Sequence, residues 1–188
     1  MRVISGTAGR RRLKTPGGLK VRPTADRVKE ALFNILGDRV PGSRFLDLFA
    51  GTGNVGIEAL SRSAAVAVFV EKDIRNIRII KENTRITGLE RQAKLLCKDV
   101  LGAINFLGSQ GQKFDIIFAD PPYLKDLETG VLLAIAGHGL LEPDGMVIIE
   151  SNKKDLPPGD VKELKTFRQE RYGDTLLSFY RYKETTGR

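Results

Sequence analysis

The sequence predicts an α/β fold with a mostly parallel sheet that is covered by helices on both faces. The first observation is that short, almost continuously apolar runs alternate with segments whose apolar residues recur at helical spacing, over residues 44–150. Strands that lack a polar face are typical of sheets buried on both sides, and such sheets are mostly parallel. The second observation is a pair of strands near the end of the chain, joined by a tight turn. This pair predicts an antiparallel hairpin at one edge of the sheet.

A basic β-hairpin arm is predicted at residues 1–22. Met1–Ser5 and Arg11–Thr15 flank glycines, and a Pro-Gly-Gly turn follows at residues 16–18. A helix is then expected to begin near Thr24, which is a suitable N-cap residue, and to end at Gly37.

The elements of the sheet follow in order, with strands at apolar runs and helices at periodic segments. The predicted strands are Arg44–Phe49, Ala65–Val70, Ala93–Cys97, Phe114–Ala119, Gly145–Glu150, Val161–Arg171 and Thr175–Tyr182. The predicted helices are Asn54–Arg62, Asp73–Thr87, Val100–Leu107 and Leu127–Ala136. A Pro-Asp-Gly turn is expected at residues 143–145. Residues 23–183 are therefore predicted to form a single domain after the arm, with a frayed tail at residues 184–188.

The composition excludes several classes of protein. A single cysteine rules out an internal disulfide framework, and with one histidine no zinc site is expected. No apolar run reaches membrane-spanning length and no signal peptide is recognisable, so a cytoplasmic protein is expected. The net charge is +8, and residues 1–30 alone carry nine basic and two acidic side chains. Such a concentration of positive charge favours a nucleic-acid partner.

A cofactor site is predicted where the first strand ends. The glycines of residues 51–56, Gly-Thr-Gly-Asn-Val-Gly, let the backbone turn sharply and approach a ligand closely. Glu71 ends the second strand, where a carboxylate can accept hydrogen bonds from the two hydroxyls of a ribose. Asp99, after the third strand, is placed to reach an adenine edge or to cap the following helix, and these two roles are compatible.

NAD and S-adenosylmethionine both fit a glycine-rich turn followed by an acid. Asp47 lies in the approach to the turn, where its negative charge would oppose a pyrophosphate. A cofactor that carries a sulfonium and an ammonium suits this carboxylate better, so we expect S-adenosyl-L-methionine.

The reaction site is predicted at Asp120, Pro121, Pro122 and Tyr123, directly after the fourth strand. An exocyclic amino group is a poor nucleophile because its lone pair is delocalised into the ring. Hydrogen-bond acceptors such as Asp120 and the Pro121 carbonyl can localise that lone pair, while the prolines fix the backbone. Tyr123 can stack on a flat base. This motif does not distinguish guanine N2, adenine N6 and cytosine N4.

Longer segments resemble a known family. Residues 47–53 (Asp-Leu-Phe-Ala-Gly-Thr-Gly) and 120–123 look like the amino-group branch of the class I methyltransferases, which have a three-layer, Rossmann-like fold. Residues 2–6, 10–13 and 22–34 resemble the bacterial enzymes that methylate guanine N2 in 16S ribosomal RNA, the RsmD family. Residues 171–175 (Arg-Tyr-Gly-Asp-Thr) fit the same family, so the resemblance covers nearly the whole chain.

The resemblance implies a set of roles for residues of this chain. The cofactor would be bound by Asp47, Phe49, Ala50, Gly51, Thr52, Gly53, Glu71, Lys72, Asp99 and Val100, with Thr24 and Arg27 near its carboxylate. Residues 120–123 would hold the guanine. The RNA would be gripped by Arg10, Arg11, Arg12, Lys14 and Arg22. The implied substrate is 16S rRNA, in a small-subunit assembly intermediate. Independently of the resemblance, we expect a monomer without a metal.

Three other functions remain open at this level. They are methylation of adenine N6 in DNA or RNA, methylation of a protein glutamine, and a non-catalytic role in RNA binding or assembly. The basic arm disfavours a protein substrate. The intact glycine turn and the motif at residues 120–123 disfavour a non-catalytic protein, and the small size disfavours a sequence-specific DNA enzyme.

Overall fold

The computed structural model describes residues 1–16, 23–122 and 127–183, with the backbone alone for residues 23–25. Its helices are α1 (Pro23–Leu36), α2 (Asn54–Ser61), α3 (Ile74–Thr87), α4 (Val100–Ser109) and α5 (Leu127–Gly137), and a 3-10 turn at Gly37–Arg39 follows α1. Its strands are β1 (Arg44–Leu48), β2 (Val66–Glu71), β3 (Ala93–Cys97), β4 (Phe114–Ala119), β5 (Leu141–Asn152), β6 (Leu164–Tyr172) and β7 (Thr175–Tyr182).

The seven strands form one sheet in the order β3-β2-β1-β4-β5-β7-β6. Strands β1 to β5 pair in parallel, whereas β7 runs antiparallel to both β5 and β6. The predicted parallel sheet with an antiparallel C-terminal hairpin is therefore confirmed. The chain order reverses between β1 and β4, and such a switch point opens a crevice at the carboxyl ends of the strands.

Alternate side chains of the strands enter two separate cores. Phe45, Phe69, Phe118 and Ile148 pack with α1, α2 and α3, and their neighbours in the strands pack with α4 and α5 on the other face. This is the alternation that a strand buried on both faces requires. The three-layer α/β arrangement predicted from the sequence is confirmed.

Most predicted boundaries agree with the observed ones to within two residues, and three of the differences have a clear physical reason. Strand β5 begins at Leu141 and passes through the expected turn at residues 143–145. Its pairing with β4 shows why: Leu141 pairs with Phe114 and Met146 pairs with Ile116, so β5 has more residues than β4 between these two pairs. The excess residues form a bulge instead of a turn. Strand β6 begins at Leu164, and Val161 makes only an isolated bridge. Helix α1 begins at Pro23, a favoured first residue of a helix, so Thr24 lies inside the helix and is not its N-cap.

The N-terminal arm packs against the domain. It forms a short hairpin in which Arg2 bridges to Arg12, and it sends Val3, Ala8 and Leu13 into the core that contains α1 and α2. At its tip, Gly6 has a φ of +83°, and a Cβ there would lie 1.8 Å from the Ser61 carbonyl oxygen. Only glycine fits this contact. The division into an arm and a domain at residue 22 stays a prediction, because residues 17–22 are outside the described part of the chain.

Across the described residues, every helix is too short or too polar to cross a membrane.

Candidate active site

The turn after β1 has an unusual backbone conformation. Phe49, Gly51 and Gly53 all have positive φ values, of 62°, 54° and 80°. Gly53 forms the left-handed N-cap of α2, and a Cβ there would lie 3.2 Å from the Ile80 side chain, so glycine suits both the conformation and the space. Phe49 carries a side chain in this conformation, and such strained positions cluster at ligand sites. The sequence did not reveal this feature of Phe49.

Asp47 is buried beneath the turn, with an exposed fraction of 2%. Its Oδ2 accepts a hydrogen bond of 2.8 Å from the Gly56 N–H in the first turn of α2, so it also serves as that helix's side-chain cap. Burial raises the pKa of Asp47 to about 7. The hydrogen bond from Gly56 lowers this pKa, and the charges of Asp120 and Glu71 raise it further. The described part of the chain places no cation in ion-pair contact with Asp47. A cationic ligand beside it would restore the ionised form.

Glu71 ties together the first two strands and their loops. Its Oε2 accepts from the Gly51 N–H at 3.0 Å, and its Oε1 accepts from the Asp73 N–H at 2.8 Å. These bonds fix the carboxylate while each oxygen retains a lone pair for a further donor. Glu71 can therefore receive hydroxyl groups without moving.

Asp99 caps the next helix, as one of its two predicted roles requires. Its Oδ1 accepts from the Gly102 N–H at 2.8 Å, at the start of α4. The side chain is exposed, and the adjacent Val100 is buried. Lys72 is exposed beside Glu71, and the Lys72 carbonyl lies 3.8 Å from the Cys97 sulfur.

Asp120 follows β4 directly, across the switch point from the glycine turn. Pro121 is buried and Pro122 is exposed, so the peptide leaves the sheet edge towards solvent. Tyr123 lies outside the described residues, and so does Arg22.

Three carboxylates lie at the carboxyl ends of strands on both sides of β1, and we call them the carboxylate row: Glu71 of β2, Asp120 after β4 and Glu150 of β5. Leu48 pairs with Val70 and Ala119, and Ala119 pairs with Ile149. The residues that follow Val70, Ala119 and Ile149 are Glu71, Asp120 and Glu150, so these three lie at one level. They continue the face that carries Phe69, Phe118 and Ile148, so they share the side of the sheet covered by α1, α2 and α3.

Asp120 and Glu150, the two neighbouring carboxylates of this row, repel one another. Asp120 is open to solvent on one side, but the protein around its carboxyl group raises the pKa through desolvation. The pKa of Glu150 is raised by burial and then by the charge of Asp120. Sequence reasoning treated Glu150 only as the end of a strand. The shared strand register of residues 71, 120 and 150 is the signal that could have identified it.

Four of the five residues predicted to bind RNA lie on the surface of the arm, and the fifth, Arg22, is outside the described residues. Arg10, Arg11, Arg12 and Lys14 are exposed. Arg11 donates to the Ile86 carbonyl at 2.7 Å, and Lys14 pairs with Glu82, which docks the arm on α3.

Arg27 is an exposed residue of α1. It borders a shallow depression together with Arg2, Ile4, Asp26 and Glu30. Its predicted contact with the cofactor carboxylate stays a prediction, and nothing is described of the Thr24 side chain.

The donors and charges at this edge fit S-adenosylmethionine. A buried carboxylate without a cationic partner matches a positively charged ligand, and a fixed carboxylate at the end of β2 matches a ribose. Both features suit this cofactor, and the buried carboxylate of Asp47 also opposes a pyrophosphate.

The fold and this edge define a class I methyltransferase. The chain belongs to the family described as conserved hypothetical protein 95, whose model matches residues 1–181.

Curated relatives and solved structures agree with this assignment. The chain is 38% identical over 181 residues to a candidate rRNA methyltransferase of Bacillus subtilis, and the alignment covers 96% of this chain and 98% of the relative. It is 30% identical to ribosomal RNA small subunit methyltransferase D of Escherichia coli, over 96% of this chain and 89% of the relative. A solved candidate methyltransferase of Escherichia coli superposes with a TM-score of 0.84 at 28% identity, covering 98% of this chain and 99% of that chain.

Proposed function

We propose that this enzyme transfers a methyl group from S-adenosylmethionine to the exocyclic N2 of a guanine in 16S ribosomal RNA. The observation that carries the proposal is Asp120 with its two prolines, held beside the glycine turn at the β1/β4 switch point. The basic arm and the relatives' names as rRNA methyltransferases support the choice of RNA.

The cofactor half of the site comprises Asp47, Phe49, Ala50, Gly51, Thr52, Gly53, Glu71, Lys72, Asp99 and Val100, with Thr24 and Arg27 as further candidates. Asp47 provides negative charge for the cationic end, and the fixed carboxylate of Glu71 accepts the ribose hydroxyls. The exposed edge of Asp99 remains available to the adenine. When bound, the cofactor supplies a methyl group on a positively charged sulfur, which is an activated electrophile.

The acceptor half comprises Asp120 to Tyr123. Asp120 and the Pro121 carbonyl accept hydrogen bonds from the two amino hydrogens, which concentrates the lone pair on the nitrogen. The buried Pro121 keeps this carbonyl in place, and Tyr123 stacks on the base. After transfer, the methylated amino group carries a positive charge and loses a proton readily, and Asp120 can pass that proton to water.

The RNA is bound by Arg10, Arg11, Arg12, Lys14 and Arg22. The first four are exposed on a hairpin whose opposite side is buried in the core, so their positions are fixed relative to the site. A fixed cationic surface contacts phosphates with a smaller loss of conformational entropy than a mobile arm would. We further propose a monomer that acts in the cytoplasm on a small-subunit assembly intermediate.

Labelled S-adenosylmethionine tests the macromolecular substrate. We expect label in 16S rRNA, within partly assembled small subunits or as naked RNA, and not in duplex DNA or in protein. The four substrates should be offered at equal concentration with wild-type enzyme. Label confined to protein or DNA would refute the proposal.

Replacing Arg10, Arg11 and Arg12 with alanine should weaken RNA binding and flatten its salt dependence. Each lost phosphate contact reduces the slope of log K against log salt by up to about 1, so a reduction of about 2 to 3 is expected. The matched control replaces Arg39, Lys113 and Lys162, which line a groove at the opposite edge of the sheet. An equal reduction in the control variant would mean that only net charge matters.

A further inference from the structure

Glu150 has no assigned role, although it belongs to the carboxylate row. It follows Ile148 on the face of the sheet covered by α1 to α3, and it pairs with Leu177 of β7, a residue of the same core. Ala119 of β4 pairs with Ile149 of β5. The next residues, Asp120 and Glu150, are therefore neighbours on strands that lie about 4.8 Å apart. The raised pKa of Glu150, which is caused partly by Asp120, agrees with this proximity.

The position of Glu150 relative to the switch point decides which ligand it can meet. The glycine turn and Glu71 lie on the β1 and β2 side of Asp120, and Glu150 lies on the opposite side, on β5. A group bound to the cofactor half is therefore separated from Glu150 by Asp120. A flat base whose amino group contacts Asp120 extends towards Glu150.

The chemistry of the base then determines what a carboxylate does there. In guanine, the amino carbon lies between two ring nitrogens, and one of them, N1, carries a hydrogen while the other, N3, is a bare acceptor. In adenine and cytosine, the ring nitrogen beside the amino carbon is a bare acceptor. When ionised, the Glu150 carboxylate only accepts hydrogen bonds, so it matches guanine and faces another acceptor in the other two bases. An N1–H donor favours this ionised form, against the effect of burial. Across the described residues, Glu150 has no hydrogen bond or ion pair that would occupy its oxygens.

We propose that Glu150 accepts a hydrogen bond from the N1–H of the target guanine and thereby selects guanine over adenine. This inference rests on the proposed function and adds the specificity that the motif at residues 120–123 lacks. Asp120 holds the amino group, and Glu150 reads the neighbouring ring atom. Two carboxylates side by side at this edge match the two adjacent donors, N2–H and N1–H, that guanine presents.

The test exchanges the N1–H for an acceptor without removing the amino group. 2-Aminopurine keeps the 2-amino group but has a bare N1, and it can replace the modified guanine in 16S rRNA reconstituted into small subunits. Above about pH 8, where Glu150 is ionised, we expect wild-type enzyme to prefer guanine by at least about 100-fold in kcat/KM, because an acceptor would face the carboxylate. In Glu150→Gln the amide can donate to the bare N1, so the preference should fall by about 10-fold or more.

Glu142→Gln is the matched control, since Glu142 lies on β5 at the end distant from the site. Its preference for guanine should equal that of the wild type. Cofactor affinity and the melting temperature show that each variant is folded, because neither depends on the base. An unchanged preference in folded Glu150→Gln, with guanine still methylated, would overturn this inference alone. Methylation of adenine by the wild type would overturn both this inference and the proposed function.

Discussion

Asp120→Ala is expected to lower kcat for methyl transfer by about 10²- to 10³-fold while changing cofactor affinity less than about 3-fold. The loss reflects removal of an acceptor that acts on the amino group when the bond to the methyl forms. The cofactor residues of the turn, Glu71 and Asp99 lie on the β1 to β3 side, and in the part of the chain that the structure describes none of them hydrogen-bonds to Asp120. Single-turnover rates and equilibrium binding measure the two quantities separately.

The melting temperature of this variant is informative as well. Asp120 raises the pKa of both Asp47 and Glu150, which shows that it repels them in the folded protein. Asp120→Ala removes this repulsion, so the fold should be as stable as the wild type or more stable. A loss of activity in a protein of undiminished stability assigns the defect to chemistry.

Asp120→Asn and Asp115→Ala provide the matched comparisons. In Asp120→Asn the amide oxygen of the new side chain still accepts a hydrogen bond, so this variant should retain activity within about 10-fold of the wild type. Asp115 lies on the same strand at the opposite end, where its Oδ2 accepts from the Arg44 N–H at 2.6 Å. Its loss should cost about 1 kcal/mol of stability and leave kcat unchanged. Collapse of cofactor binding in Asp120→Ala would contradict the division of the site into two halves.

Glu58→Ala is expected to destabilise the protein by about 3–5 kcal/mol, which is the cost of leaving a buried charge unpaired. The Glu58 side chain is fully buried and lies 3.3 Å from the Lys29 amino group, whose own side chain is 2% exposed. The carboxylate also accepts from the Ile4 and Ser5 N–H groups at 2.7 and 3.0 Å, so it fixes the arm to α2. Chemical denaturation measures the free energy of unfolding.

Glu82→Ala is the control, because Glu82 also pairs with a lysine and holds the arm, but at the surface. Surface ion pairs contribute about 1 kcal/mol or less. In Glu58→Ala, hydrogen exchange should also accelerate at the amides of Ile4 and Ser5. Equal losses in the two variants would show that burial of this ion pair does not stabilise the arm.

The sequence predicted the parts of this fold that depend on periodicity. Apolar runs located all five parallel strands, because burial on both faces leaves a pattern that one sequence can display. The course of β5 through residues 143–145 could not be predicted, since Pro-Asp-Gly has the composition of a turn and only pairing with β4 makes it a bulge.

The site was predicted where motifs are contiguous and missed where residues meet only in space. Residues 47–53 and 120–123 are continuous segments, so their types and order indicate their chemistry. Glu150 is 30 positions from Asp120 and joins it only through the register of β4 and β5. The arm's burial likewise depends on Glu58 and Ser61 of α2, which a charge count cannot reveal.

The identity of the modified nucleoside tests the central claim most directly. Small subunits that lack the modification should be incubated with wild-type enzyme and labelled S-adenosylmethionine, and the 16S rRNA should then be digested and analysed by mass spectrometry. The account predicts that the label elutes as N2-methylguanosine, and that Asp120→Ala forms it at least about 100-fold more slowly. Label recovered as N6-methyladenosine would contradict it.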